Sequence, residues 1–203
     1  MTCILTGDIV GSKKAKNNNW IDGLKQLFLN QGNSPLSWEI YRGDEFQLEI
    51  KKTEHAILTS ILIKAYLRSI GLDVRIGIGI GEKTHNAKRI TESNGSAFVN
   101  SGEAFENLKS TKINLAIQSK NKKIDKELNL MLQLGLSFMD KWLKQQAEFV
   151  YYAIENPSLS QEQLGIKLGI NQAAVSRRRK RANYDLIEQM NAFFIEKLKI
   201  LHE

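Results

Sequence analysis

The sequence predicts an α+β protein in which a mixed N-terminal part is followed by an all-helical C-terminal part. Through residue 118, apolar and β-branched runs alternate with segments of helical periodicity, in the order strand, helix, strand, strand, helix, strand. From residue 124 onward only helical periodicity remains. The polar, lysine-rich segment 119–123 separates the two patterns, so we expect domains at 1–118 and 119–203.

The order of the N-terminal elements indicates a topology. Strands are predicted at residues 2–9, 37–41, 46–50 and 74–80, helices at 20–29 and 55–70, and then a helix at 95–108 and an edge strand at 113–117. This order is the split βαβ arrangement of a ferredoxin-like fold. Glycines at positions 77 and 79 of the last main strand predict that a backbone or a ligand approaches that face closely.

Two carboxylates are expected at one rim of this sheet. The first and third strands are antiparallel neighbours in the split βαβ topology, which places Asp8 beside Asp44. Two carboxylates repel each other unless a cation lies between them, and oxygen ligands suit Mg²⁺ or Mn²⁺ that holds a substrate's phosphates. The backbone carbonyl of Ile9 would supply a third oxygen. The alternative is structural, with Asp44 as an ordinary turn residue and Asp8 as a cap of the next element.

The C-terminal part is predicted to be a helical segment followed by a helix-turn-helix and a last helix. Residues 124–155 are expected to be helical, with a break near Gly135 and an end at Pro157. The positions expected on its buried faces are Leu128, Met131, Leu132, Leu134, Phe138, Trp142, Phe149, Val150 and Ala153. The apolar stripe of the last helix comprises Leu186, Ile187, Met190, Phe193, Phe194, Leu198 and Leu201. This stripe belongs either to the core or to a surface that pairs two copies, and we expect a homodimer.

Residues 160–181 have the pattern of a helix-turn-helix. Ser160 begins a capping box at the start of a short helix. Gly169 can adopt the left-handed conformation that reverses the chain, and Asn171 is a residue type that caps a second helix. Gly165 allows the second helix to approach the first, as two crossed helices joined by a tight turn require.

The second helix of this motif carries consecutive cations from Arg177 to Arg181. Its spacing resembles the helix-turn-helix of bacterial repressors and sigma-like proteins. The resemblance implies base contacts for Gln172, Ala173, Ser176 and Arg177, and phosphate contacts for Arg178, Arg179, Lys180 and Arg181. The sequence departs from the helix-turn-helix pattern at one place. An apolar residue usually follows three or four positions after the buried Val175, but here these positions are charged. The helix must therefore pack through Val175, Ala182 and an arginine stem. Double-stranded DNA is the expected partner, and the alternative is a helix-turn-helix used for protein contacts.

Composition agrees with nucleic-acid binding by the C-terminal part. Of the net charge of +7, residues 1–108 carry +1 and residues 109–203 carry +6. Cys3 is the single cysteine, which excludes an internal disulfide and a thiolate zinc site, and the histidines have no ligand spacing. No apolar run approaches membrane-spanning length, and the N-terminus reaches Asp8 too soon for a signal peptide. We therefore expect a cytoplasmic protein without a membrane partner.

Three segments of the N-terminal part resemble the palm domains of nucleotidyl cyclases. They are Gly7-Asp8-Ile9-Val10-Gly11, Arg42-Gly43-Asp44-Glu45-Phe46, and the strand from Val74 to Glu82. The resemblance implies that Asp8 and Asp44 are metal ligands and that a nucleotide ligand is held at Gly11, Ser12, Lys13, Lys14, Arg42, Gly43 and Asn100. The whole chain, a palm followed by helices and a helix-turn-helix, is similar to the SatD family of bacterial proteins.

Two departures from the cyclase pattern weigh against cyclisation. Arg42 replaces the first glycine of the diguanylate cyclase signature. Asn100 matches a transition-state residue of class III cyclases, but Ala104 stands where their arginine is expected, and that arginine stabilises the transferred phosphoryl group. The sequence therefore predicts a DNA-binding regulator whose palm-like domain binds a metal-nucleotide ligand. The alternatives are an active nucleotidyl cyclase or nucleotidyltransferase with a DNA-localising tail, and a palm used only for dimerisation.

Overall fold

A computed structural model describes residues 1–14 and 19–202, apart from the side chains of residues 14, 19 and 202. The strands are β1 (Thr2–Val10), β2 (Trp38–Tyr41), β3 (Glu45–Ile50), β4 (Asp73–Gly81) and β5 (Leu115–Gln118). The α-helices are α1 (Asn19–Leu29), α2 (Ala56–Ser69), α3 (Ser96–Thr111), α4 (Lys122–Met139), α5 (Lys144–Glu155), α6 (Gln161–Leu168), α7 (Gln172–Ala182) and α8 (Tyr184–His202). This mixture of a sheet and helices confirms the α+β class.

The five strands form one sheet with the order β2-β3-β1-β4-β5. β1 is antiparallel to both β3 and β4, and β5 is parallel to β4 at the edge of the sheet. The register pairs Asp8 with Glu45 of β3 and with Arg75 of β4. The predicted antiparallel pairing of the first and third strands is therefore confirmed, and so is the extra edge strand.

Alternating residues of the sheet face two different layers. Leu5 of β1 belongs to the core that includes α1 and α2, whereas Ile4 packs with Phe98 of α3 on the opposite face. On β4, a Cβ atom added at Gly77 would lie 2.5 Å from the backbone carbonyl oxygen of Ser101 in α3. The close approach that the glycines of β4 predict is thus made by the backbone of a helix.

The hydrophobic core continues from the sheet into the C-terminal helices. One cluster of buried residues contains Ile57 of α2, Leu128 of α4, Phe149 of α5 and Ile187 of α8. α5 packs along α2, and α7 in turn packs on α5. The core is therefore continuous across the predicted boundary at residues 119–123.

A group of charged residues also joins the two parts of the chain. Nζ of the buried Lys64 in α2 lies 2.7 Å from Oδ1 of Asp73 and 2.6 Å from Oδ1 of Asp140, the residue after α4. Arg68, one turn further along α2, donates to Oδ2 of Asp73 at 2.6 Å and to the carbonyl of Trp142 at 3.0 Å. These bonds connect the start of β4 to the segment between α4 and α5.

The helical segment is interrupted at residues 140–143, so the predicted break near Gly135 is wrong. Gly135 lies inside α4, where an added Cβ would be 2.5 Å from Cε of Met190 in α8. The glycine therefore allows two helices to approach each other and does not end one. Leu134, one of the positions predicted on a buried face, is 64% exposed at the edge of a groove between α4 and α8.

Candidate functional site

The helix pair α6 and α7 has the local geometry that its capping residues predict. The Ser160 hydroxyl accepts from the Gln163 amide at 3.2 Å, and Oε1 of Gln163 accepts from the Ser160 amide at 2.8 Å. Gly169 ends α6 with φ +65°, in the left-handed region. Asn171 then caps α7 by accepting from the amide of Ala174 at 2.9 Å. The chain therefore reverses within the three residues that separate the helices.

Contact between α6 and α7 depends on a small residue. A Cβ atom added at Gly165 would lie 2.6 Å from the carbonyl oxygen of Ile170 and 3.5 Å from Cγ2 of Val175. Val175 and Ala182 are the fully buried residues of α7. The end of α7 is fixed by Trp142, whose Nε1 donates to the carbonyl of Ala182 at 3.1 Å. α7 is thus held at its middle and at its C-terminal end.

The outer face of α7 is polar and basic. Its exposed side chains are Gln172, Ala173, Ser176, Arg177, Lys180 and Arg181. Arg177, Lys180 and Arg181 make no ion pair with another described residue. All four residues expected to contact bases and two of those expected to contact phosphates therefore lie on this face, which we call the α7 face.

Arg178 and Arg179 are directed towards the protein instead. Arg178 donates to Oε2 of Glu148 in α5 at 2.7 Å, and its side chain is 16% exposed. Arg179 donates to Asp185 at 2.7 Å and to Glu188 at 2.6 Å, and its guanidinium lies 4.8 Å from the ring centre of Tyr184. These two arginines therefore anchor α7 to the neighbouring helices through their guanidinium groups, whereas the sequence predicts an anchor made by an arginine stem. Sequence reasoning missed their partners because the acidic residues belong to α5 and α8.

At the rim of the sheet, Asp8 and Asp44 lie on adjacent backbone segments, because Asp8 pairs with Glu45. The amide of Ile9 donates to the carbonyl of Asp44 at 3.1 Å, which places Asp44 directly beside the end of β1. The two carboxylates, however, have different partners. Asp8 accepts from Nε of Arg75 at 2.9 Å through one oxygen and from Nη2 of Arg75 through the other. Asp44 accepts from the hydroxyl of Ser12 at 2.5 Å.

Arg75 is a charged residue of the rim that sequence reasoning missed. The hydrogen bond to Asp8 raises the pKa of Arg75, burial opposes this shift, and the charges of Asp8 and Asp44 add to it. The pairing could have been found from the register, because Asp8 and Arg75 are opposite each other in neighbouring strands. The rim therefore contains two carboxylates together with one guanidinium.

A cavity of about 370 Å³ opens beside Asp44. It is lined by Ser12, Lys13, Trp20, Ile21, Arg42, Gly43 and Asp44. Four of the residues predicted to hold a nucleotide thus line one cavity. Gly11 directly precedes this segment of the chain, and the side chain of Lys14 lies outside the described residues.

Asn100 lies elsewhere. Its side-chain amide donates to the carbonyl of Ile80 at 2.8 Å, near the end of β4, whereas Arg75 and Asp8 are paired near its start. Asn100 lines a separate polar cavity with Glu82. The structure therefore does not bring Asn100 to the rim, because α3 runs back along β4 from that strand's end. Ala104 of α3 is buried, so a side chain at the position of the cyclase arginine would face the core.

The donors at the rim fit a divalent metal ion poorly in this arrangement. Both oxygens of Asp8 are occupied by Arg75, and Asp44 is bonded to Ser12. Among residues 1–14 and 19–202, no three His, Cys, Asp or Glu side chains form a group that could hold a metal ion. A metal held by Asp8, Asp44 and the carbonyl of Ile9 would require Asp8 to leave its guanidinium.

The fold and these two regions define a mixed α+β protein with a charged rim in its N-terminal half and an exposed basic helix face in its C-terminal half. The chain belongs to the SatD family, whose family model matches residues 3–190. No curated protein and no solved structure is significantly similar to it. In the described part of the chain, none of the helices combines the length and the apolar character needed to cross a membrane.

Proposed function

We propose that this protein is a cytoplasmic DNA-binding transcriptional regulator in which α6 and α7 act as a helix-turn-helix. The observation that carries the proposal is the α7 face, on which Arg177, Lys180 and Arg181 are exposed and unpaired with other described residues. Cations on one helix face neutralise phosphates, and the residues at the start of a recognition helix reach the base edges of the major groove.

The anchoring of α7 supports this assignment. Arg178 and Arg179 neutralise acidic residues of α5 and α8, and so they keep the helix in place without using the outer face. A preorganised recognition helix loses little conformational freedom on binding, which favours affinity. The phosphate contacts of this helix are therefore assigned to Lys180 and Arg181, and the base contacts to Gln172, Ala173, Ser176 and Arg177.

We propose further that the N-terminal half is a palm-like, ferredoxin-like domain that binds a nucleotide at the rim. The cavity beside Asp44 offers Lys13 and Arg42 to phosphates, and a small diffusible ligand of this kind is a suitable effector for a regulator. We do not assign turnover to this site, because Ala104 is buried and Asn100 lies at the other end of β4.

A homodimer is part of the proposal. The groove between α4 and α8 exposes Leu134 (64%), Leu186 (45%) and Phe193 (36%), and its lining is mostly apolar. Exposed apolar patches of this kind mark interaction surfaces. Pairing through α8, the helix that follows α7, would place two recognition helices on successive turns of DNA, roughly 34 Å apart.

The experiment that tests DNA binding is a fluorescence-anisotropy titration over a range of salt concentrations. The DNA is an operator selected from a random library, compared with random duplex. Lys180→Ala should weaken binding to both duplexes and reduce the slope of log K against log salt by about 0.9 for each phosphate that the lysine neutralises. Arg177→Ala should reduce discrimination between the two duplexes by about 1–3 kcal/mol.

The matched control is Lys126→Ala, which removes an exposed lysine of α4 and the same charge. It should leave both the affinity and the salt slope nearly unchanged. If Lys126→Ala and Lys180→Ala have equal effects, the DNA interface is not the α7 face. If Arg177→Ala weakens binding equally on both duplexes, α7 is only a nonspecific basic surface.

A further inference from the structure

We propose that Arg75 takes at this rim the place that a divalent cation has in nucleotidyl cyclases, so that the protein binds a phosphate-bearing ligand without a metal ion. The inference rests on the nucleotide site of the proposed function and names its ligand chemistry. The ligand class is a nucleotide in metal-free form, with its phosphates held by Lys13 and Arg42.

The negative charge at the rim already has a positive partner. Two neighbouring carboxylates need a positive charge between or beside them, and Arg75 supplies one through two hydrogen bonds to Asp8. A guanidinium that binds both oxygens of a carboxylate is geometrically matched to it and remains charged at any physiological pH. Asp8 is 15% exposed and Arg75 30%, so the pair is largely shielded from solvent. Arg75 therefore already supplies the positive charge that a metal ion would supply at the rim.

The carboxylates of Asp8 and Asp44 do not converge on one point. Asp8 lies on the α3 side of the sheet opposite Arg75, whereas Asp44 bonds to Ser12 and lines the cavity with Trp20 of α1. A metal ion with oxygen ligands at about 2.0–2.1 Å needs its ligands to converge on one point. In this structure the two carboxylates bond to separate partners instead.

Arg42 provides a cation at the mouth of the cavity. Its backbone has φ 49°, in the left-handed region, and Gly43 follows with φ 90°. Glycine would adopt the conformation of residue 42 without strain, and strain of this kind concentrates at functional sites. Arg42 is 79% exposed, and its nearest acidic group is Glu45 at 3.7 Å, a loose pair that a ligand phosphate can replace.

Thermal unfolding with nucleotides separates metal-free from metal-dependent binding. ATP and GTP are each tested with EDTA and with excess Mg²⁺ or Mn²⁺, and each metal is also tested alone. We expect one nucleotide to raise Tm with EDTA by at least as much as with metal, because a bound metal masks phosphate charge. At 100 times Kd the rise should be about 5–10 °C. Either metal alone should cause no shift. A rise that requires a metal, or no rise with either nucleotide, would overturn the inference.

Two substitutions test the assigned roles. Arg42→Gly should raise Tm without nucleotide by about 2–4 °C, because it relieves the left-handed strain, and yet it should remove most of the nucleotide-dependent rise. Arg75→Leu should create a Tm increase with Mg²⁺ or Mn²⁺ alone, because both oxygens of Asp8 are then free to bind a cation, whereas Arg75→Lys should not. An unchanged nucleotide response in Arg42→Gly, or metal indifference in Arg75→Leu, counts against the inference. If Arg75→Leu does not fold, the wild-type comparison of EDTA with metal decides.

These results are independent of DNA binding, which is measured on the wild-type protein without nucleotide. An absent nucleotide response with intact operator binding would refute the ligand assignment alone. Absence of operator binding with an intact nucleotide response would refute the DNA-binding role alone.

Discussion

Gly165→Ala should destabilise the protein, because Gly165 lies at the contact between α6 and α7. The added methyl group would lie 2.6 Å from a backbone carbonyl oxygen, that of Ile170, which cannot rotate away as a side chain can. Overpacking of this kind costs about 1–3 kcal/mol. Replacing glycine by alanine inside a helix also gains up to about 1 kcal/mol, which partly offsets the clash.

Gly102→Ala is the control that isolates the clash. Gly102 lies inside α3, and a Cβ added there meets nothing within 4 Å. Both substitutions receive the same gain in helix propensity, so the difference between their unfolding free energies should be about 1–3 kcal/mol, with Gly102→Ala the more stable. Urea unfolding measures this difference, and each kcal/mol corresponds to roughly 2–4 °C in Tm for a chain of this size.

The same pair of variants reports on DNA binding. Gly165→Ala should weaken binding to operator and random duplex alike, because α7 changes its orientation, and Gly102→Ala should behave as the wild type does. Equal stability of the two variants would show that α6 and α7 do not approach each other as described and that the α7 face is not held in this orientation.

Four further outcomes are expected. Arg178→Ala should lower the unfolding free energy by up to about 1 kcal/mol in urea titrations, since its partner Glu148 is partly exposed, and it should leave the salt slope of DNA binding unchanged. Lys64→Met should cost about 3 kcal/mol in the same assay, because it removes the buried partner of two carboxylates. Burial raises the pKa of Tyr184 to about 12, so the folded state holds this proton where the unfolded chain has released it. Stability should therefore fall between pH 10 and 12, with at most about 3 kcal/mol of the fall due to Tyr184. Tyr184→Phe should make the fall smaller without removing it, because burial also raises the pKa values of Tyr41, Tyr66 and Tyr151. Burial also raises the pKa of Cys3, so a thiol reagent should react only as fast as the protein unfolds.

Local patterns in the sequence are sufficient to predict most of the elements. The alternation of β1 and β4, the capping box at Ser160 and the glycine at 169 all depend on neighbours a few residues apart, and the structure has these features. The antiparallel pairing of the first and third strands also follows, because the order of elements restricts the possible sheets. The approach of Asp8 to Asp44 at the rim is a consequence of that pairing.

Contacts between distant segments account for the errors. A glycine such as Gly135 often ends a helix, so the sequence alone suggests a break there. Its actual role, which is to let α8 pack closely against α4, depends on the position of Met190. The partners of Arg178 and Arg179 belong to other helices, so the sequence alone presents these arginines as part of one basic face. Asn100 is assigned to the rim by resemblance, which does not specify where along β4 the residue lies.

For the proposed regulator, the Trp142 hydrogen bond at the end of α7 would restrict the operators that it can bind. α7 is linked through Trp142, and then through Arg68, to α2, the helix that packs against the sheet. A regulator with a flexible tether adapts to half-sites at various separations, whereas a rigid body does not. In a homodimer of this protein, inserting one base pair between the half-sites would rotate one of them by roughly 35° about the DNA axis, since a turn holds about 10–10.5 base pairs. The permitted spacing is then determined by the width of the folded body, and operators should differ in sequence far more than in length.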